Sequence, residues 1–236
     1  MPTPPASTPI RVTRYPLLPV AFAAAGLLRI GARAVDATRL DYVATPLATI
    51  LVIAIAWTDP GDEGDSYRRF VLAGLVFSLV GDVYLMLPGD RFLAGLVAFL
   101  FAHVSYTVAF TRDGGFTGSP VVTLPFAIGG SLVMTAILPG IGDVALPVFL
   151  YALVLLTMAM QAVERWRRHA HAGARLAACG AVAFTISDAT LGIARFAGGF
   201  PGSDLVVAAS YLTAQYLIAR SSGARWLSRQ RAAQVS

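Results

Sequence analysis

Apolar residues gather in eight runs along this chain, each set off from the next by a few polar, glycine or proline positions. The runs are 16–34, 42–57, 69–87, 92–111, 119–139, 144–163, 174–194 and 203–220. A membrane-spanning helix needs roughly 20 mostly apolar residues, and these stretches approach or reach that length. The pattern predicts an all-α fold: a polytopic membrane protein of eight transmembrane helices. The second and last runs are short. The first carries Arg29 and Arg33 in its C-terminal half, where they are placed to snorkel to the interface. The gaps leave no room for a soluble domain. The longest, TDPGDEGDSYRR from Thr58 to Arg69, reads as a polar loop.

The ends differ from the middle. Residues 1–15 are rich in proline and read as a disordered tail, 16–220 as the transmembrane domain, and 221–236 as a basic tail. No small-residue cleavage site precedes the next span, so the first run reads as a retained helix rather than a signal peptide.

Composition agrees with the pattern. The chain is 56% hydrophobic and 13% charged, against about 25% charged in soluble domains. Its mean hydropathy is +0.68. All 18 basic residues are arginines, and they do not form a nucleic-acid patch; they lie mostly between the apolar runs. Eight spans put both termini on one side. That side collects Arg11, Arg14, Arg68, Arg69, Arg112, Arg165, Arg167, Arg168, Arg175, Arg220, Arg225, Arg229 and Arg231, and the other Arg29, Arg33, Arg39, Arg91 and Arg195. Thirteen against five predicts cytoplasmic termini and a place in the inner membrane.

Two carboxylates interrupt the runs, and a charge inside a membrane helix is functional by default. Asp82 sits in FSLVGDVYLMLPGDRF and Asp188 in FTISDATLGIARF. Both segments open with Phe and a hydroxyl residue, reach a small residue before Asp, carry Leu three positions on, and close with Arg-Phe. Spans three and seven run in the same direction, so the match suggests a parallel repeat of four helices plus four. Both aspartates fall at similar depth in the non-cytoplasmic half. Gly74, Ser78 and Asp82 form one stripe, and Ala181, Thr185, Asp188 and Gly192 another. Such small-residue faces turn into a bundle.

Span four adds His103, Tyr106 and Thr107, and span eight adds Asp204, Ala208, Tyr211 and Gln215. Together they predict a polar cavity with Asp82 and Asp188 as catalytic candidates. Ser78, Arg91, His103, Tyr106, Thr185, Arg195, Tyr211 and Gln215 are candidates for substrate binding. The competing structural reading pairs each aspartate with Arg91 or Arg195 and makes the tyrosines and Gln215 interhelical glue. His169 and His171 lie in a basic loop, and three scattered histidines with the single Cys179 do not make a metal site. A Gly-x-Ser-x-Gly elbow is absent. No cofactor is expected.

LVGDVYLMLPGDRFLAGLVAFLFAHVSYTVAF, Leu79 to Phe110, and GAVAFTISDATLGIARF resemble the two signature regions of the YhhN/TMEM86 family, the lysoplasmalogenases. The resemblance covers most of the chain. It implies a helical membrane hydrolase that cleaves the vinyl ether bond of a lysoplasmalogen taken from the bilayer, with Asp82 and Asp188 as the motif carboxylates. It gives a fatty aldehyde and a glycerophospho-headgroup. That chemistry needs an acid that protonates carbon and a second group that steadies an oxocarbenium ion, as paired carboxylates do in glycosidases. The rival readings are a proton-coupled lipid or small-molecule transporter using the same carboxylates, and a non-catalytic scaffold.

Overall fold

In hydrocarbon every backbone N–H and C=O must be satisfied within the chain, which leaves helices as the only local solution for these runs. The computed structural model describes residues 15–35, 37–58 and 65–223 and contains eight α-helices among them. They are α1 (Leu17–Ala34), α2 (Thr38–Thr58), α3 (Asp65–Met86), α4 (Phe92–Thr111), α5 (Pro120–Ile137), α6 (Ala145–His169), α7 (Ala172–Phe196) and α8 (Ser203–Ser221). Two 3₁₀ turns, Leu138–Gly140 and Gly142–Val144, join α5 to α6. The two expected tails lie outside the described residues, apart from Tyr15 and 221–223.

Six helical segments are long and apolar enough to cross a membrane: 39–58, 66–86, 92–111, 120–140, 142–169 and 172–196. The protein is therefore a polytopic membrane protein. The other two helices carry more polar side chains: Arg29 and Arg33 in α1, and Asp204, Gln215 and Arg220 in α8. Side chains on the outside are those expected to face lipid. Leu124, Ile128 and Leu132 of α5 are all exposed, at helical spacing.

The closest helix pairs are α3 with α4 and α7 with α8. Their approach depends on glycine. A Cβ on Gly74 would lie 2.3 Å from the Tyr106 ring, and one on Gly180 would lie 3.0 Å from the backbone oxygen of Ala214. Each glycine is eight residues before its aspartate. Around this centre α2 packs on α3 and α8, and α6 on α4 and α7; α1 lies against α2 and α8, and α5 against α6 and α7. Phe184 of α7 sits at the middle, fully buried, with Phe99, His103 and Tyr211 all edge-on to it.

One end of the bundle is closed by polar locks. Arg165 is fully buried, donates from Nη2 to Asp113 at 2.6 Å, and lies over the Tyr67 ring. Tyr67 is 2.8 Å from Ser221 Oγ. Glu164 accepts from the backbone N–H and the hydroxyl of Ser119, while Gln161 bonds both ways with Thr117. These groups sit at the C-terminal end of α6 and the N-terminal end of α3, opposite the end that holds Asp82.

Candidate active site

Asp82 is 4% exposed. Its Oδ2 accepts from Thr49 of α2 at 2.6 Å and from the Tyr211 hydroxyl of α8 at 2.8 Å. The Tyr211 oxygen accepts in turn from Gln215 Nε2 at 2.7 Å. Gln215 Oε1 accepts from Tyr106 at 3.3 Å, and the Tyr106 oxygen lies 3.4 Å from Ser78 Oγ. A chain of hydrogen bonds thus runs from Ser78 across α4 and α8 to the carboxylate. Buried polar groups demand partners, and these four are each other's.

Asp188 has a second nest. Its Oδ2 accepts a short hydrogen bond from Tyr151 of α6 and lies 3.3 Å from His103 Nε2 of α4. His103 Nε2 is also 2.9 Å from the Tyr151 hydroxyl. His103 Nδ1 is buried without a partner. We therefore place the His103 proton on Nε2, which leaves an unfilled acceptor at Nδ1 rather than a stranded N–H. Neither aspartate forms an ion pair with Arg91 or Arg195 among the described residues; Arg195 instead bonds Asp90 at 2.5 Å and covers the Phe92 ring. Among the described residues, Oδ1 of each carboxylate carries no hydrogen bond, so one oxygen of each remains open for chemistry.

Both carboxylates line one polar cavity of about 500 Å³, together with Arg29, Arg33, Arg91, Arg195 and Tyr211. A second cavity of about 120 Å³, almost wholly apolar, lies between α4, α5, α6 and α7 and is lined by Phe92, Phe99, Met134, Tyr151 and Thr185. The two share Leu85, Phe92, Phe99, Leu191 and Asp188. Asp188 is thus the polar group at the junction of a chamber lined by charged side chains and an apolar one.

The predicted candidates fall into three places. Tyr211, Arg91 and Arg195 line the polar cavity with the aspartates, and Thr185 lines the apolar one. His103 stands behind Asp188. Ser78, Tyr106 and Gln215 line neither cavity; they support Tyr211 from within the core. Asp204 is exposed, 4.0 Å from Arg33. Thr107 turns back onto its own helix. His169 is exposed, but it is the last residue of α6 rather than part of a loop, and His171 caps α7, its Nδ1 accepting from the Ala174 N–H at 3.1 Å.

Three residues of the site were not anticipated: Thr49, Tyr151 and Arg29. Arg29 corrects an expectation, for it does not snorkel to open solvent. It is 4% exposed and lies 5.1 Å over the Tyr211 ring. Its guanidinium is held inside the bundle against Tyr211 of α8, whereas Arg33, one turn on, reaches Asp41 at 3.1 Å. The signal for Tyr151 was its place in PVFLYALVLL, where a hydroxyl in hydrocarbon must find an acceptor.

A buried carboxylate, Asp82, and a part-buried one, Asp188, lining one chamber among lipid-facing helices define a membrane protein with an internal polar chamber. The chain belongs to the YhhN family, whose sequence model matches residues 40–222. It is 29% identical over 180 residues to the uncharacterized membrane protein YhhN of Escherichia coli O157:H7, covering 76% of this chain and 86% of that protein. It is 34% identical over 189 residues to human lysoplasmalogenase TMEM86B, covering 78% and 77%. The pig lysoplasmalogenase TMEM86B is 36% identical over 169 residues, covering 68% and 66%. No solved structure gives a significant match.

Proposed function

We propose that this protein is a membrane-embedded hydrolase that cleaves the vinyl ether bond of lysoplasmalogens. The observation that carries the reading is the junction at Asp188. A lysophospholipid has one polar end and one chain, and this site has one polar and one apolar chamber meeting at a carboxyl group. The relatedness to lysoplasmalogenases supports the same chemistry.

In this reading the chain enters the apolar chamber from the bilayer and the vinyl ether lies beside Asp188. A proton passes from the Asp188 carboxyl to the chain-side alkene carbon, and the ether carbon becomes an oxocarbenium ion. Asp82, on the headgroup side, steadies that cation and accepts a proton from the water that attacks it. The hemiacetal then collapses: its hydroxyl proton returns to Asp188 as the C–O bond to glycerol breaks, and Asp82 gives the proton it took from water to the departing glycerol oxygen. One water is consumed, and one aldehyde and one alcohol are formed. Tyr151 and His103 orient Asp188 and pass a proton back to it; Tyr211 and Thr49 fix Asp82. The residues of the chain supply each of these groups, so no cofactor enters the scheme.

We further infer that all eight helices span the inner membrane with both termini in the cytoplasm, and that they form a four-plus-four repeat. The arginine asymmetry supports the orientation. The like placement of α2 with α6, α3 with α7 and α4 with α8 supports the repeat. The transporter alternative needs a path to both faces. The locks around Arg165, Tyr67 and Glu164 at the opposite end speak against it.

The test is direct. Purified protein incubated with 1-alkenyl-glycerophosphoethanolamine should release a fatty aldehyde, with slower release in heavy water because proton transfer to carbon limits the rate. Absence of aldehyde across headgroups and chain lengths would overturn the reading.

A further inference from the structure

Arg29 presents an unused binding capacity. Its Nε and Nη1 are buried and have no hydrogen-bond partner among the described residues. An Asp41 carboxylate oxygen is 3.9 Å from Nε, close enough for attraction and too far for a hydrogen bond. Asp41 is already engaged by Arg33 at 3.1 Å and by Thr45 at 2.9 Å. A buried guanidinium with two idle donors is a costly arrangement unless something completes it. The polar cavity is where the completing group belongs, since Arg29 and Arg33 both line it.

The other arginines of this cavity are differently placed. Arg195 is bonded to Asp90 and its side chain is 45% exposed. Arg91 is exposed at the start of α4. Arg29 alone combines burial, idle donors and a fixed position over Tyr211, the residue that donates to Asp82.

Resting on the lysophospholipid reading above, we propose that Arg29, assisted by Arg33, is the site that binds the substrate's phosphodiester. A guanidinium presents parallel N–H groups that match two oxygens of a phosphate. The anion at Arg29 would lie on the Asp82 side of the cavity and direct the chain past Asp188 into the apolar chamber. Because Arg29 also rests on Tyr211, seating the phosphate steadies the hydrogen bond that holds Asp82. The site thus selects phosphorylated ether lipids over neutral ones.

The experiment compares aldehyde release from 1-alkenyl-glycerophosphoethanolamine and from 1-alkenylglycerol, which lacks the phosphate. The wild type should prefer the phosphorylated lipid, and Arg29→Gln should lower that preference about 10–100-fold, chiefly through KM. Arg29→Lys should retain part of it. An equal loss on both lipids would show a structural role and overturn the site. A second measurement on the wild type needs neither turnover nor a variant. Thermal stabilisation by a saturated 1-alkyl-glycerophosphoethanolamine, which has no vinyl ether, should exceed that by the matching 1-alkylglycerol; equal shifts would overturn the proposal. Inorganic phosphate is the third probe. If it stabilises as well as the lipid does, the site takes a free anion and the headgroup assignment falls. An enzyme that binds the phosphorylated ether selectively but releases no aldehyde would refute the hydrolase reading and leave the phosphate site standing.

Discussion

Asp82 takes its hydrogen bonds from Thr49, on the helix before its own, and from Tyr211, on the last helix of the other half. Asp188 takes its own from Tyr151, on the helix before, and from His103, on the last helix of the other half. The plan is the same: preceding helix, carboxylate helix, crossing helix. The surroundings are not. Asp82 borders only the polar chamber of the pair, which Arg29 and Arg33 also line. Asp188 borders both chambers and has a histidine where Asp82 has a tyrosine. The proposed repeat accounts for two equivalent nests, and in the proposed mechanism the differences in lining assign them different work. A tyrosine hydroxyl can hold a carboxylate, whereas an imidazole can also return a proton.

The strongest way to break this comparison is to neutralise each nest. Asp188→Asn and Asp82→Asn keep shape and hydrogen-bonding capacity but cannot deliver a proton to carbon or balance a cation. Each should insert normally and lose about 10²–10⁴-fold in kcat, with Asp188→Asn the more severe. Aldehyde assays on the two purified variants measure this. Near-normal turnover in either one would make that carboxylate structural; misfolding of both would favour a packing role.

A smaller effect separates the supports. Tyr151→Phe and Tyr211→Phe each delete one donor to a site carboxylate, and a hydrogen bond to a charged group is worth about 1.5–3 kcal/mol. Roughly tenfold or more in kcat should be lost in each. His103→Ala should be milder than Asp188→Asn, because Tyr151 still holds the carboxylate. If His103→Ala instead matches Asp188→Asn, the histidine is itself the proton donor.

The contrast between the nests also shows what the amino-acid pattern reveals. The helices follow the apolar runs to within a few residues at most ends, because burial in hydrocarbon is decided locally. Both aspartates reach one cavity, as their matched depth and small-residue stripes suggest. The grouping of Ser78, Tyr106, Tyr211 and Gln215 follows from stripes on single helices. Thr49, Tyr151 and Arg29 are harder to place from sequence. Tyr151 is a lone polar group in an apolar stretch, whereas Thr49 continues the Asp41 and Thr45 line of α2 and Arg29 stands one turn before Arg33; for all three the partner is chosen by how helices from distant parts of the chain pack. Arg29 illustrates the point: position near a span end suggests snorkelling, but α8 covers it.

Packing offers a further test of likeness. Gly74→Ala and Gly180→Ala both insert a methyl where two helices touch, and overpacking typically costs about 1–3 kcal/mol. Both should lower the melting temperature in detergent. Gly74→Ala should also reduce activity, because the displaced Tyr106 is part of the chain leading to Tyr211 and Asp82. Gly180→Ala meets Ala214 and Ile218, which carry no such link. Equal activity losses would show that the chain from Tyr106 transmits nothing.

The smallest effect belongs to the Arg-Phe ends of the two motifs. Arg91-Phe92 and Arg195-Phe196 match in sequence, and the Phe92 and Phe196 rings meet edge to face at 5.5 Å. Arg195 reaches Asp90 across this contact, with side-chain exposures of 45% and 68%. Exposed ion pairs contribute about 0–1 kcal/mol, because water screens the attraction and ordering two side chains costs entropy. Arg195→Gln should therefore lower stability by less than about 1 kcal/mol. Its activity should fall by only a few-fold, well short of the loss expected for Arg29→Gln. Melting curves at low and high salt check the first point, since a screened pair weakens further as salt rises. Steady-state assays check the second. An Arg195→Gln loss as large as that of Arg29→Gln would mean that the headgroup rests at the mouth of the cavity, beside Asp90. The two nests would then be approached from the Arg195 side rather than from the Arg29 side.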